Sequence, residues 1–291
     1  MSIRLALLAN PAAAGGRAMQ VLAQARPVLE SGAEVRAVET RGLDHALDEA
    51  AAAAAAGETV VAVGGDGTVG ALAGALRDAP VPLAILPGGR GNDFARVLGI
   101  PFDAVEAAEV VLAGRERVVD VAEVDGRPFV GIASLGFDSD ANRIANETKI
   151  VRGNLVYVVA ALRALAAWKH ASYTVTVDGE RHEWRGFSVA VGNSKAYGGG
   201  MMLIPHAEVD DGLLDVFLSG ESSKLGFLRD LPKVFKGDHV GNPSVRFLAG
   251  REVTVDADRP FTVYADGDPI GELPVTVTVR ERCLRVVVPG A

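Results

Sequence analysis

One stretch of the chain joins bare backbone to a carboxylate. Val60-Val61-Ala62-Val63 runs into Gly64-Gly65-Asp66-Gly67-Thr68. Glycine permits positive φ and leaves no Cβ between the peptide amides and an approaching phosphate. A strand ending here and a helix from about Val69 to Leu76 would add the positive end of a helix, which favours an anion. Asp66 could hold Mg²⁺ through water, and Thr68 offers a hydroxyl to phosphate. A tight strand-to-helix turn with Asp66 as a plain N-cap has the same spelling. Gly65-Asp66-Gly67-Thr68-Val69-Gly70 also matches the dinucleotide pattern G-x-G-x-x-G. That pattern expects an acid at the end of the next strand, and here the strand ends Ile85-Leu86-Pro87. No Walker A sequence is present.

A second glycine-rich stretch, Leu86-Pro87-Gly88-Gly89-Arg90-Gly91-Asn92-Asp93-Phe94-Ala95-Arg96, again follows a strand and precedes a helix. Asn92 or Asp93 could cap that helix, and Arg90 could meet a phosphate. A long capped loop is the plainer reading. Two such loops at the carboxyl ends of neighbouring strand–helix units carry more weight, because ligands of open α/β sheets bind at those ends. The histidines, His45, His170, His182, His206 and His239, show no metal-ligand spacing and read as surface or packing residues.

The elements that would position these loops alternate along the first part of the chain. Ile3–Ala9, Glu34–Glu39, Val60–Val63 and Leu83–Leu86 read as strands; Ala18–Leu29 and the alanine-rich His45–Ala56 read as helices. This alternation predicts parallel β-α-β units with strands covered on both faces. After about residue 118 the chain turns β-rich. Strands are expected at Val118–Val124, Arg127–Ile132, Tyr173–Val177, Phe187–Val191, Leu213–Leu218, Val253–Asp256, Phe261–Tyr264, Val275–Val279 and Leu284–Val288. Helical interruptions are expected near Asn154–Trp168 and Ser223–Phe235. The pattern suits a second domain of antiparallel sheets.

Composition limits the function classes. The 291 residues, 49% hydrophobic, can bury a sizeable core, and the net charge of −8 speaks against a nucleic-acid partner gripped by counterion release. A neutral lipid remains reachable through an apolar patch. One cysteine, Cys283, leaves no disulfide within the chain and no cysteine metal cluster. The apolar start ends at Asn10-Pro11 and reads as a first strand rather than a signal peptide. Leu155–Trp168 carries Arg163 and reads as an amphipathic or buried helix; no membrane span is expected, and the expected location is cytoplasmic.

In the order of its motifs the chain resembles the bacterial diacylglycerol kinase/lipid kinase family, related to the sphingosine kinases. The resemblance covers nearly the whole sequence. It includes Asn10-Pro11 with Gly15-Gly16, Thr40 followed by His45-Ala46, Gly64–Thr68, Gly91–Ala95, Gly136-Phe137-Asp138 and Gly153–Tyr157. It continues through Tyr197–Met201, Pro205-His206-Ala207, Asp210–Val216 and Asp266-Gly267-Asp268.

The resemblance implies a two-domain kinase with ATP bound between a Rossmann-like α/β domain and a β-sandwich domain. The first would span residues 1–118, completed by a final strand within 281–291; the second, a lipid-substrate domain, would span 119–280. Asn10, Thr40, Gly64, Gly65, Asp66, Gly67, Thr68, Arg90 and Asn92 would then face nucleotide. Asp66 and Asp268 would be catalytic, with Asp268 as the base that takes the proton of a lipid hydroxyl, plausibly that of diacylglycerol. A Mg²⁺ site would draw on the carboxylate of Asp211 and the carbonyls of Glu208 and Leu213, although an Asp-Gly hairpin turn reads equally from the same residues. The partners implied are ATP, a lipid and a membrane surface touched peripherally; a homodimer is a possible assembly. The family usually carries Asp-Gly-Glu where this chain has Asp268, Asn and Glu where it has Gly70 and Ala71, and threonine where it has Arg90. These departures keep open a weakly active nucleotide- or lipid-binding regulator, and the Gly-Gly-Asp-Gly loop keeps open an NAD kinase-like or other small-molecule kinase.

Overall fold

The computed structural model describes residues 3–147 and 162–290. The Gly153–Tyr157 motif and residues 154–161 of the expected helix lie outside the described residues.

The first domain is a parallel sheet of β1 (Ile3–Ala9), β2 (Ala33–Glu39), β3 (Thr59–Gly64) and β4 (Leu83–Pro87), in the order β4-β3-β1-β2. Its central strands are nearly continuous apolar runs because helices cover both faces. The connecting helices are α1 (Arg17–Glu30), α2 (Leu43–Ala56) and α3 (Asp66–Leu76), followed by α4 (Asp93–Val97) and α5 (Ala104–Ala113). In α1 the buried side chains Ala18, Val21, Leu22, Ala25 and Leu29 recur at helical spacing. In α2 only alanines, at positions 46, 50 and 53, are buried, so the helix lies close on the sheet. It ends at Gly57, whose φ of +68° suits a residue without Cβ.

The register aligns the carboxyl ends of all four strands. Ala9 stands opposite both Glu39 and Val63, and Gly64 opposite Pro87. Asn10, Thr40, Gly65 and Gly88 therefore emerge along one edge, where an open α/β sheet binds its ligands.

The rest of the chain is β-rich: β5 (Glu116–Val124), β6 (Arg127–Phe129), β7 (Ile132–Gly136), β8 (Ala171–Val177), β9 (Glu180–Gly192), β10 (Leu214–Gly220), β11 (Val245–Gly250), β12 (Glu252–Ala257), β13 (Thr262–Ala265), β14 (Asp268–Glu272) and β15 (Val275–Val287). Among the described residues, helices α6 (Phe137–Glu147) and α7 (Lys224–Val234) and a helical stretch at 162–167, the described end of the helix expected near Asn154–Trp168, complete it. The two-domain α/β plus β-rich organisation is thus present. Pairing in the second part is antiparallel, and β15 joins the halves: it pairs along β5 and meets β4 in parallel at Val286–Leu83. Residue 118 falls inside β5, so the sheet is continuous through that point. Domain contact is close elsewhere too, since a Cβ on Gly74 of α3 would strike the Pro128 ring of β6.

Three local readings change. Arg127–Ile132 is not one strand; it breaks at Val130 and Gly131, whose amides turn to the Asp266 carboxylate instead of a ladder partner. Val275–Val279 and Leu284–Val288 belong to one long strand with a register shift between Arg280 and Leu284. Helix α3 begins at Asp66 rather than Val69, so Gly67 and Thr68 form its first turn.

Candidate active site

The glycine-rich start of α3 is shaped by close approach rather than by positive φ. Gly65, the N-cap, is extended at φ −103°, and none of Gly64, Gly65, Gly67, Gly88, Gly89 and Gly91 has positive φ. At Gly65, Gly88 and Gly89 what excludes a side chain is the neighbouring backbone. A Cβ on Gly65 would lie 2.9 Å from the Cα of Gly89, and one on Gly89 would overlap the Cα of Gly65. Gly88 N–H donates to Gly64 O at 2.8 Å, extending the ladder one step past the strands. The two loops are therefore a single unit of packed main chain.

The strained residue of the second loop is Asn92, at φ +53°. Its side chain does not cap α4. Its Oδ1 accepts from Gly89 N–H at 2.8 Å and its Nδ2 donates to Gly89 O at 3.2 Å, fixing both polar groups of that glycine. Asp66, read in one alternative as an N-cap, does not cap its own helix either. Its Oδ1 accepts from Phe94 N–H at 3.2 Å, at the start of α4. Burial, and next the charge of Asp93, push the Asp66 carboxyl above the usual range, while amides of Phe94, Asp93 and Asn92 oppose the shift.

Asn10 and Thr40 stand at the ends of β1 and β2. Asn10 Oδ1 accepts from Ala12 N–H at 2.9 Å, an Asx turn, and buried Thr40 donates its N–H to Ala9 O at 2.8 Å. Arg90 projects from the loop tip, exposed and without an ion pair among the described residues.

The second domain brings acids to this edge. Asp266 sits at φ +51° in the β13–β14 turn, and Asp268 opens β14, exposed. A Cβ on Gly67 would lie 2.7 Å from Asp268 Oδ2, and one on Gly70 would lie 2.6 Å from Asp266 Oδ2. The bare first turns of α3 are thus the surface against which both carboxylates rest. Asp266 accepts from Val130 N–H and Gly131 N–H, each at 2.9 Å. Burial raises its carboxyl to about 7, against those two amides and with the help of Asp66 and then Asp268. Asp93 supplies a further tie, its Oδ2 accepting from Gly199 N–H at 2.8 Å in the Tyr197–Met201 turn.

Sequence reasoning placed Asp66, Asp268 and the two loops together, and the structure does so. It did not assign functional weight to Asp93 or Asp266. The available signal was Asp-Gly-Asp between apolar runs, which is also the spelling of an ordinary turn.

The residues Glu208, Asp211 and Leu213 lie away from these loops, on the chain entering β10. Asp211 Oδ1 accepts from Leu213 N–H at 3.0 Å, an Asx turn, and Gly212 N–H goes to the fully buried Asp120 at 2.8 Å. Burial first, then the charges of Asp211 and Glu208, push Asp215 upward against His206, whose Nε2 is 3.2 Å from Asp215 Oδ1. Among the described residues no group of three or more His, Cys, Asp and Glu side chains has metal-holding geometry. A cation there would depend on one carboxylate with main-chain carbonyls, a hard-oxygen set that suits Mg²⁺.

Residues 4–124 match the diacylglycerol kinase catalytic domain, and residues 131–288 match the YegS C-terminal NAD kinase beta sandwich-like domain. The chain belongs to the diacylglycerol/lipid kinase family. A diacylglycerol kinase of Mycobacterium tuberculosis is 33% identical over 247 residues, covering 82% of this chain and 80% of that protein. A Pseudomonas aeruginosa protein named "Probable lipid kinase YegS-like" is 35% identical over 248 residues, covering 84% of this chain and 80% of that protein. The crystal structure of a diacylglycerol kinase from Bacillus anthracis superposes with a TM-score of 0.81 over 99% of this chain and 98% of that one, at 25% identity. This lipid-kinase family chain has no helix, among the described residues, long and apolar enough to cross a membrane.

Proposed function

We propose that this lipid kinase transfers the γ-phosphoryl group of ATP to a lipid hydroxyl, converting diacylglycerol to phosphatidic acid. The observation that carries the reading is the seating of Asp268, from the second domain, on the bare Gly67 turn of the first. A proton acceptor and the Cβ-free first turn of α3 meet across the domain junction.

Phosphoryl transfer asks little covalent chemistry of a protein; positioning and charge stabilisation account for most of the rate. In this reading the Gly65–Thr68 turn receives the phosphates, with Asn10 and Thr40 at the same edge, while the second loop, its Gly88 and Gly89 amides held by Gly64 O and Asn92 Oδ1, braces that turn. Exposed Arg90 adds a cation within the loop. Asp268 accepts the proton of the attacking hydroxyl. Asp93 adds negative charge beside Asp66, and a hard cation arriving with the nucleotide would take Asp66 as its one protein carboxylate, the phosphates and water supplying the other oxygens. Bound there through Asp66, Mg²⁺ would offset phosphate charge. A second Mg²⁺ on Asp211 and the carbonyls of Glu208 and Leu213 would pin the chain entering β10. Operation on a membrane surface from the cytoplasm belongs to the same proposal.

The test is incubation of purified protein with γ-labelled ATP, Mg²⁺ and a lipid panel containing diacylglycerol, with NAD as a separate acceptor. Label on a lipid supports the reading. Label on NAD alone would replace it with an NAD kinase activity, and folded protein that labels neither would leave a binding regulator.

A further inference from the structure

We propose that Gly70 is a positioning residue for Asp268: carrying no Cβ, it lets the Asp266 carboxylate come down onto α3, and that contact sets how far Asp268 reaches toward the Gly67 turn. The proposal rests on the assignment of Asp268 as the base in the reading above.

Three glycines share one face of α3, at positions 67, 70 and 74. Glycine disfavours a helix interior, and none of the three has the positive φ that would call for it. Their common feature is what lies over them. A Cβ on Gly67 would meet Asp268 Oδ2, one on Gly70 would meet Asp266 Oδ2, and one on Gly74 would meet the Pro128 ring. All three neighbours belong to the second domain, so the helix is bare where that domain sits on it.

The contacts differ in how far they can yield. Asp268 is exposed, and its carboxylate is the end of a side chain that can swing aside. The Asp266 carboxylate is held at both oxygens: Oδ2 accepts from Val130 N–H and Oδ1 from Gly131 N–H, each at 2.9 Å. Turning it away would orphan two amides of buried residues. Its backbone is equally fixed. Asp266 at φ +51° and Gly267 at φ +95° form the two-residue turn of the β13–β14 hairpin, closed by the pairing of Ala265 with Asp268.

Whatever displaces the Asp266 carboxylate therefore displaces Asp268 with it. A Cβ at position 70 would stand 2.6 Å from Asp266 Oδ2, closer than the two atoms tolerate, and the hairpin would have to lift. The height of the hairpin above α3 and the side-chain length at 268 are thus a matched pair. An aspartate reaches because the hairpin lies low.

A compensating variant tests the pairing, with kcat and the KM for ATP of the full chain as readouts. Gly70→Ala should lower kcat for lipid phosphorylation about 10–100-fold and leave the KM for ATP within about twofold, the signature of a reacting group moved by about 1 Å. Asp268→Glu alone should lower kcat about tenfold, because the longer side chain oversteps. In the double variant Gly70→Ala/Asp268→Glu the added methylene should offset the lift and bring kcat at least about tenfold above Gly70→Ala, a coupling that two unrelated defects do not show. In crystals, Gly70→Ala should carry Asp268 about 1 Å farther from Gly67, with both amides still on Asp266. Undiminished turnover in Asp268→Glu would overturn the proposal. That variant changes an exposed position, so it remains a test even where Gly70→Ala does not fold. Additive losses in the double variant, or a hairpin that stays in place in Gly70→Ala crystals, would overturn it too. Wild-type protein that labels no lipid, with the hairpin lifted in Gly70→Ala, would sink the kinase reading alone.

Discussion

The two halves of the candidate active site are made of different material. On the first domain the working surface is main chain: Gly65 and Gly67 place no Cβ at the start of α3, and the two loops pack Cα to Cα at Gly65 and Gly89. On the second domain it is side chain: Asp266 and Asp268 project from a turn at the start of β14 and rest where α3 has no Cβ. The first half tolerates almost no added atom. The second half depends on particular oxygens. A backbone surface is suited to the phosphate chain of a nucleotide, whereas a carboxylate acting as a base must meet one proton at one place.

That contrast predicts how each half fails. The largest effect on chemistry should come from Asp268→Asn. Because Asp268 is exposed, stability should stay within about 0.5 kcal/mol, while lipid phosphorylation falls about 10²–10⁴-fold. Wild-type turnover in this variant would remove the second domain from the chemistry. Gly89→Ala should act through geometry: a Cβ there overlaps Gly65 Cα and comes within 2.8 Å of Asn92 Oδ1. We expect a loss of about 1–3 kcal/mol in urea unfolding and about 100-fold in activity.

Asp266→Asn sharpens the comparison from the stability side. One of the two amides held by Asp266 loses its acceptor, costing about 1–3 kcal/mol. The wild-type carboxyl titrates near 7, above its ordinary value of 3.8. Between those values the folded chain keeps a proton that the unfolded chain releases. This group's contribution therefore falls as pH rises through that window. Unfolding measured from pH 4 to 7 without nucleotide should show that slope in the wild type and a flatter one in Asp266→Asn. The smallest effect belongs to Arg90→Ala, with unchanged stability and a rise of about three- to tenfold in the KM for ATP. An unchanged KM would leave the phosphates to the amides alone.

Much of this was legible in the residues. Apolar runs alternating with helical spacing specify the parallel domain, and the β-branched second half specifies antiparallel pairing, because burial on one or two faces follows directly from those patterns. The gly-rich loops and Asp66 were visible for the same local reason. Their mechanism was not. Positive φ was expected of the glycines, yet the constraint on Gly65 and Gly89 is each other, and they are 24 residues apart in the sequence. The break at Val130–Gly131 was hidden because its cause, Asp266, lies more than 130 residues later.

By itself the chain's order of residues determined its fold class, its family motifs and the identity of the acids at its glycine-rich turns, all properties of local pattern. Only the tertiary structure decided that Gly67 and Gly70 are bare so that Asp268 and Asp266 can lie on them. Those facts are distances between segments remote in sequence, and no local propensity encodes a distance.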